Sequence, residues 1–406
     1  MAPHIVIVHY AERVPSDPGF TESRYSATAR ALVRRGAKVT RLYPSFAHGS
    51  RKQRAGPADW EDEELGRFRA VATPGYARSM GVERVRFLRA FVTRSAKIVS
   101  DLRPDVVLAG YPPPGMASAI VRRMGSRRPR VLVDVRDLWP DAQLSSQRGA
   151  RGAVVRAIEP MVRRLTREDL VVADGLIAIS SEYLRWAEDA AGRRWPRAHT
   201  TIVPLGANLW NGPSGSPGTP SKREGVVFVG SLSDHFDFNL LLSAWKRVVA
   251  ERPDLARAHP LTIIGEGDRA HELRGLADAT EGVALLGRRP HHEAMHLVSA
   301  HLVGVAPYKR GAAMGLPNKL FEYMACGVAV LSTLEGEAER LIHNGATGRS
   351  VGAHTPAALS AEIVRLLGHP EEALRMGRRG RELVESSYSR AALGASLAAF
   401  IMRDSS

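Results

Sequence analysis

"NGPSGSPGTPSKREGVVFVG", residues 211–230, passes from a Gly-, Pro- and Ser-dense stretch without apolar side chains (211–223) straight into a β-branched run. The first part has the composition of a linker and the second that of a buried strand. The same strand signal recurs on both sides. Before the linker come HIVIVHY (4–10), AKVTRLY (37–43), DVVLAG (105–110), RVLVDV (130–135), GLIAIS (175–180) and TTIVPL (200–205). After it come GVVFVG (225–230), LTIIGEG (261–267), GVALLG (282–287), LVGVAPY (302–308), VAVLST (328–333) and TGRSVG (347–352). Each run is apolar on both faces and is followed by a stretch of helical period, the pattern of parallel strands covered on both sides. The expected fold is α/β, with two doubly wound Rossmann-like domains: 1–210, a linker at 211–224, and 225–387. The amphipathic segment YSRAALGASLAAFIMR (388–403) follows the last helix and is expected to cross back, so that 388–406 completes the first domain.

Composition limits the chemistry. A chain of 406 residues, 44% hydrophobic and 24% charged, has ample core for two domains. One cysteine, Cys326, excludes a disulfide framework and a cysteine-based metal site and fits a reducing compartment. No basic leader precedes an apolar stretch and no run is long enough to span a bilayer, so a cytoplasmic protein is expected. The net charge of +15 is uneven, since residues 1–200 carry 35 Lys and Arg against 21 Asp and Glu. That excess suits an anionic partner such as phospholipid head groups, a phosphorylated lipid or nucleic acid, or is a solvated arginine-rich surface.

The segment GLPNKLFEYMACG (315–327) carries the clearest chemistry. Gly315, Leu316 and Pro317 lead into a helix expected to begin near Asn318, where unpaired N–H groups and the helix dipole favour a phosphate. Lys319 adds a point charge for a diphosphate, and Glu322, one turn on, is placed to accept hydrogen bonds from ribose hydroxyls. The alternative is plain helix chemistry, with Asn318 as the cap and Glu322 balancing a solvated Lys319 at i,i+3.

The run PYKRGAAMGLPNKLFEYMACGVAVLST (307–333) resembles the nucleotide-sugar signature of family-four glycosyltransferases of the GT-B fold. VVFVGSL, TIIGEGD, VALLGRRPHHEAM and GEAERLIHNGATG agree with that family in order and spacing. The resemblance implies two domains facing across a cleft, sugar transfer without an obligatory metal or other cofactor, and retention of anomeric configuration. It assigns ribose binding to Glu322 and diphosphate binding to Lys319, with Gly230 and Ser231 in the loop after the first strand of the second domain. Arg288 falls where the family holds the nucleotide base, although it also fits a solvated strand end. Met314 stands where the family has a first glutamate that often contacts the sugar ring, and the loop GSLSDHFDFNLL offers Ser231 and Asp237 in place of the usual Arg and Lys.

In the first half, PSDPGFTESRYSATARALVRRGAKVTRL is similar to the family's glycine loop and first helix, with Gly19 giving close approach to donor phosphates. His9 is expected to be packing. VLVDVRDLWPDAQ (131–143) ends a strand in Asp134, Arg136, Asp137, Trp139 and Asp141 and resembles the Arg-Asp-Leu-Trp-Pro segment of transferases that build bacterial surface polysaccharides. Arg136 and Asp137 are the candidate catalytic pair. Asp137 either orients the acceptor hydroxyl or takes its proton, unless it merely caps the helix start at WPDA.

Residues 82–99 place Val85, Leu88, Phe91, Val92 and Val99 on one helical face, with Arg86, Arg89, Arg94 and Lys97 around the rest. This suits either an anionic membrane surface bearing a lipid-linked acceptor or an ordinary surface helix. His292, Glu293 and His296 spell H-E-x-x-H, but between two α/β strands and without a third ligand, so no metal site is expected. The expected protein is a cytoplasmic transferase, able to lie on the inner membrane face. It would move a sugar from a nucleotide diphosphate sugar, UDP-sugar favoured by family frequency, to a lipid-linked glycan or natural-product acceptor. The alternatives are a GT-B epimerase or pseudo-glycosyltransferase, and a catalytically inactive homologue that docks on membrane or nucleic acid. With a transferase, no nucleic-acid partner is expected.

Overall fold

The computed structural model describes residues 2–77, 81–141, 149–212, 223–312 and 315–403. The chain forms two compact units, Met1–Pro204 with Arg390–Ser406, and Leu205–Ser389. In chain order the strands of the first are β1 (His4–Val8), β2 (Lys38–Pro44), β3 (Phe46–Ala47), β4 (Lys52–Gln53), β5 (Asp59–Asp62), β6 (Gly66–Val71), β7 (Val106–Tyr111), β8 (Arg130–Val135), β9 (Gly175–Ala178) and β10 (Thr200–Ile202). Eight of them form one sheet in the order β10-β9-β8-β7-β1-β2-β6-β5, parallel except for β5 against β6. The apolar runs fix the centre, where Ile5, Ile7, Leu108 and Leu132 are all fully buried.

Helix Arg24–Arg34 and helix Arg390–Met402 cover this core together, burying Tyr25, Ala29 and Leu32 with Leu393, Leu397 and Ile401. Their approach is close. A Cβ on Gly394 would stand 2.6 Å from the carbonyl carbon of Ala27, so only glycine permits the crossing. The β5–β6 hairpin has no counterpart among the sequence-predicted strands, because DWED and GRFRAV lack a continuous apolar run. It is held instead by Trp60 stacked on Phe68 at 4.1 Å and by Asp62, which accepts from the N–H groups of Glu64 and Leu65.

The second unit contains β11 (Val226–Val229), β12 (Leu261–Ile264), β13 (Val283–Gly287), β14 (Val303–Ala306), β15 (Ala329–Ser332) and β16 (Gly348–Ser350). They form one parallel sheet, β13-β12-β11-β14-β15-β16. Packing divides the chain at Pro204 rather than at 210: Ala207 N–H donates to the Tyr388 carbonyl, and the Arg381 guanidinium to the Trp210 carbonyl. Linker residues 213–222 lie outside the described residues.

In both sheets the chain runs outward in one direction and then returns to the other side of its first strand. The order reverses between β1 and β7 in the first unit and between β11 and β14 in the second. Ligands of open parallel sheets gather beyond the carboxyl ends of the strands at such a reversal.

Candidate active site

In the second unit the reversal is built by helix Asn318–Ala325. Pro317, extended at φ −73° and ψ 146°, occupies the N-cap and offers no side-chain bond. Asn318 is therefore the first helical residue rather than the cap, and its Oδ1 is buried without a partner. Gly315, Leu316 and Pro317 are buried, which leaves the helix N-terminus as the polar feature of the loop.

Lys319 departs from the plain helix reading, since it is neither solvated nor in ion-pair contact with Glu322. Only 6% exposed, it passes under the end of β11, where Nζ donates to the Val229 carbonyl and lies 4.1 Å from the Phe228 ring centroid and 4.8 Å from that of Phe236. Burial pushes its ammonium down to about 7, against the pull of Glu322. A Cβ on Gly230, itself at φ +142°, would stand 2.4 Å from Nζ. The glycine thus leaves the ammonium covered by bare backbone, with Ser231 exposed beside it.

One turn along, Glu322 is half-buried. Tyr323, unnoticed in the sequence, accepts from Val229 N–H at 3.2 Å and donates to the Val305 carbonyl at 3.0 Å. Lys319 and Tyr323 thereby grip Val229 through its carbonyl and its N–H, locking the helix to the point of reversal. Arg288 is exposed at the end of β13, two strands from β11 and apart from this group. Met314 lies outside the described residues.

The first unit concentrates charge around the ends of β1 and β8. Asp134 is fully buried and accepts both arms of Arg24 at 3.0 Å, while Arg24 Nη1 also donates to the Val203 and Pro204 carbonyls. This carboxylate is structural. Arg136 packs its guanidinium 4.9 Å from the Tyr25 ring centroid and donates to Glu12 Oε1 at 2.6 Å. Glu12 also accepts from Ser23 Oγ, and Ser23 caps helix Arg24–Arg34. Arg136 is thus tied to the loop that contains Gly19. Gly19 itself is exposed, at φ +66°, with its carbonyl accepting from Arg13.

Asp137 is half-buried and takes the Leu138 N–H at 2.8 Å. Asp141 is engaged by Arg163 and by the Trp186 indole. His9 is 2% exposed beside Tyr25, in keeping with packing.

Helix Val82–Leu102 buries Phe91 and Val99 and half-buries Leu88 and Val92 of its expected face, and departs from it in the first turn. Its buried residues are Arg84, Phe87, Phe91, Ser95, Ala96 and Val99, whereas Val85 is 41% exposed. Arg94 bonds the Ala72 carbonyl and Lys97 pairs with Asp101, so part of the basic surface is already engaged; Arg86 and Arg89 are exposed. No helix among the described residues is long and apolar enough to cross a membrane. His292, Glu293 and His296 are exposed on helix His291–Ser299.

Two family models match the chain in tandem: a glycosyl transferase 4-like domain over residues 21–206 and glycosyl transferases group 1 over residues 223–369. A putative colanic acid biosynthesis glycosyltransferase of Escherichia coli (strain K12), WcaL, is 22% identical over 315 residues, 75% of this chain and 72% of its own. A phosphatidyl-myo-inositol mannosyltransferase of Mycolicibacterium smegmatis is 25% identical over 206 residues, half of each chain. Among solved structures, WaaG, a glycosyltransferase involved in lipopolysaccharide biosynthesis, superposes with a TM-score of 0.65 at 14% identity, covering 98% of this chain and 100% of its own. Anabaena HepE in complex with UDP-glucose gives 0.63 at 12% identity, with 98% of each chain covered. The fold and the two matches define a glycosyltransferase of the GT-B fold. The chain belongs to the family-four-like glycosyltransferases.

Proposed function

We propose that the protein transfers a sugar from a nucleotide diphosphate sugar, most simply a UDP-sugar, to a hydroxyl of a lipid-linked glycan or natural-product acceptor. The observation that carries this reading is the arrangement at the β11–β14 reversal: an uncapped helix N-terminus, a buried ammonium under Gly230, and a carboxylate one turn further on. An uncapped N-terminus and a desolvated cation favour the same ligand, a diphosphate. Glu322 accepts from the ribose hydroxyls, which an ionised carboxylate does without a competing donor. HepE, of the same fold, was solved with UDP-glucose, which supports a UDP-sugar here.

On the acceptor side, Asp137 orients the attacking hydroxyl or removes its proton, and Arg136 is held by Glu12 to bear on the same group. No cofactor or obligatory metal enters this scheme. Relatives named for colanic acid and phosphatidyl-inositol chemistry favour a surface-polysaccharide or lipid-linked acceptor, reached by a cytoplasmic enzyme at the inner membrane face. The resemblance favours retention of configuration.

The test is a thermal-shift and turnover series with nucleotide diphosphates and nucleotide sugars. Since a ligand that binds only the native state raises its melting temperature, UDP should do so in the wild type and much less in Glu322→Ala, which should also lose turnover. No shift with any nucleotide contradicts the proposal.

A further inference from the structure

Among the arginines at the ligand end of the first sheet, most have a carboxylate: Arg24 has Asp134, Arg54 has Asp17 and Arg136 has Glu12. Arg84 does not. It is 6% exposed, near the start of helix Val82–Leu102, and among the described residues no carboxylate lies within ion-pair distance of it. Three rings surround its guanidinium instead, with centroids at 4.7 Å (Tyr76), 5.1 Å (Tyr10) and 5.4 Å (Phe87). Nη1 donates to Tyr76 Oη and to His48 Nδ1, while Nε has no partner. Ring faces offset only part of what it costs to take a cation out of water.

The position gives this unbalanced charge a use. Tyr10 follows β1, His48 joins β3 to β4, and Tyr76 follows β6, so the cage lies in loops at the carboxyl ends of the strands. Burial raises the Tyr10 phenol, and the charges of Arg84, Asp137 and Arg136 all act on it. Burial and Arg84 push the His48 imidazole down to about 4, so it is neutral near pH 7 and accepts rather than repels. Arg41, also buried without a carboxylate contact, is 0% exposed and cannot be reached; Tyr10 and His48 are half-exposed.

We propose that Arg84 and Tyr10 form an acceptor subsite for an oxyanion, a phosphate or a sugar carboxylate, carried by the molecule whose hydroxyl Asp137 engages. The proposal rests on the acceptor-side reading of Asp137. Arg84 supplies the charge from within the ring cage, and the half-exposed Tyr10 hydroxyl supplies the donor that meets the oxyanion. The acceptor is accordingly anionic close to its reactive hydroxyl.

Thermal-shift titrations of the full chain with inorganic phosphate and with glucuronate, each in saturating UDP, test this; UDP alone is titrated in the same samples. One or both oxyanions should stabilise the wild type, and the arm that responds identifies phosphoryl or carboxylate recognition. Arg84→Gln should raise the half-saturating concentration about tenfold or more, Tyr10→Phe by a smaller factor, and neither should change the UDP response. Equal oxyanion responses in wild type and Arg84→Gln overturn the proposal, as does a wild type that answers to UDP but to neither oxyanion. An Arg84-dependent oxyanion response without any UDP response would sink the donor reading alone. If Arg84→Gln does not fold, Tyr10→Phe decides, and an unchanged response in it counts against the proposal.

Discussion

The Nζ of Lys319 lies 2.4 Å from the point where a Cβ on Gly230 would stand. These two residues, 89 positions apart in the chain, make one device: the glycine keeps the backbone over the ammonium bare, and the ammonium charges that backbone from below. Gly230→Ala should therefore act on both fold and ligand. With φ at +142°, and the Lys319 ammonium obliged to move away from the new methyl group, we expect a loss of about 1–3 kcal/mol in stability and at least tenfold weaker UDP binding. Denaturant melts and UDP titration check it, and a variant that binds UDP normally would show that Lys319 does not reach the ligand.

Lys319 also sets a pH dependence. Its pKa falls from the usual 10.5 to about 7 in the fold, so between those values the unfolded chain holds a proton that the native state lacks. The stability cost of burying it is full below about pH 7 and fades as pH rises toward 10.5. Lys319→Met removes the cost, so its stability advantage over the wild type should be largest near pH 7 and should narrow toward pH 10. Stability curves of the two proteins against pH are the check, and a constant gap contradicts the burial argument. A bound diphosphate should restore the proton, so UDP binding near pH 8 should take up a proton, read by calorimetry in buffers of different ionisation enthalpy.

Asp137→Asn keeps the shape of the acceptor carboxylate while removing its basicity. Turnover should fall about 10²- to 10⁴-fold if it removes the proton, with UDP affinity unchanged. A turnover close to wild type would reduce Asp137 to a turn residue serving the Leu138 N–H.

Arg24 and Asp134 are expected to serve the fold alone. Arg24→Met leaves Asp134 as an uncompensated charge at 0% exposure and should cost about 3–5 kcal/mol, seen in denaturant unfolding. A loss below 1 kcal/mol would mean that Asp134 takes up a proton or water replaces the guanidinium.

The contrast between Asp134 and Asp137 shows where the sequence stops being informative. Runs such as HIVIV and VVFV fix the central strands of both sheets, because a strand buried on both faces has little choice but β-branched side chains. The two-domain α/β fold and the glycosyltransferase family were legible from them and from the motif at 307–333. The β5–β6 hairpin was not, since its cohesion comes from one aromatic stack across a turn. Nor was the first turn of helix Val82–Leu102, where counting apolar residues put Val85 inward but the cation cage draws Arg84 and Phe87 in, although Phe91 and Val99 further along are buried as expected. Asp134, Arg136, Asp137 and Asp141 look alike in sequence. Their separate fates depend on Arg24, Glu12 and Trp186, which the chain brings in from elsewhere. Tyr323 carried no signal at all, because its function is to bond two strands of which it is not a part.

A nucleotide diphosphate on the amino end of helix Asn318–Ala325 would be visible in a crystal structure of the protein with UDP. Diphosphate oxygens should lie within hydrogen-bond distance of the first-turn N–H groups and the backbone at Gly230 and Ser231, with both ribose hydroxyls on the Glu322 carboxylate. UDP bound at another strand end, or a Glu322 carboxylate turned to solvent with the nucleotide in place, would contradict it.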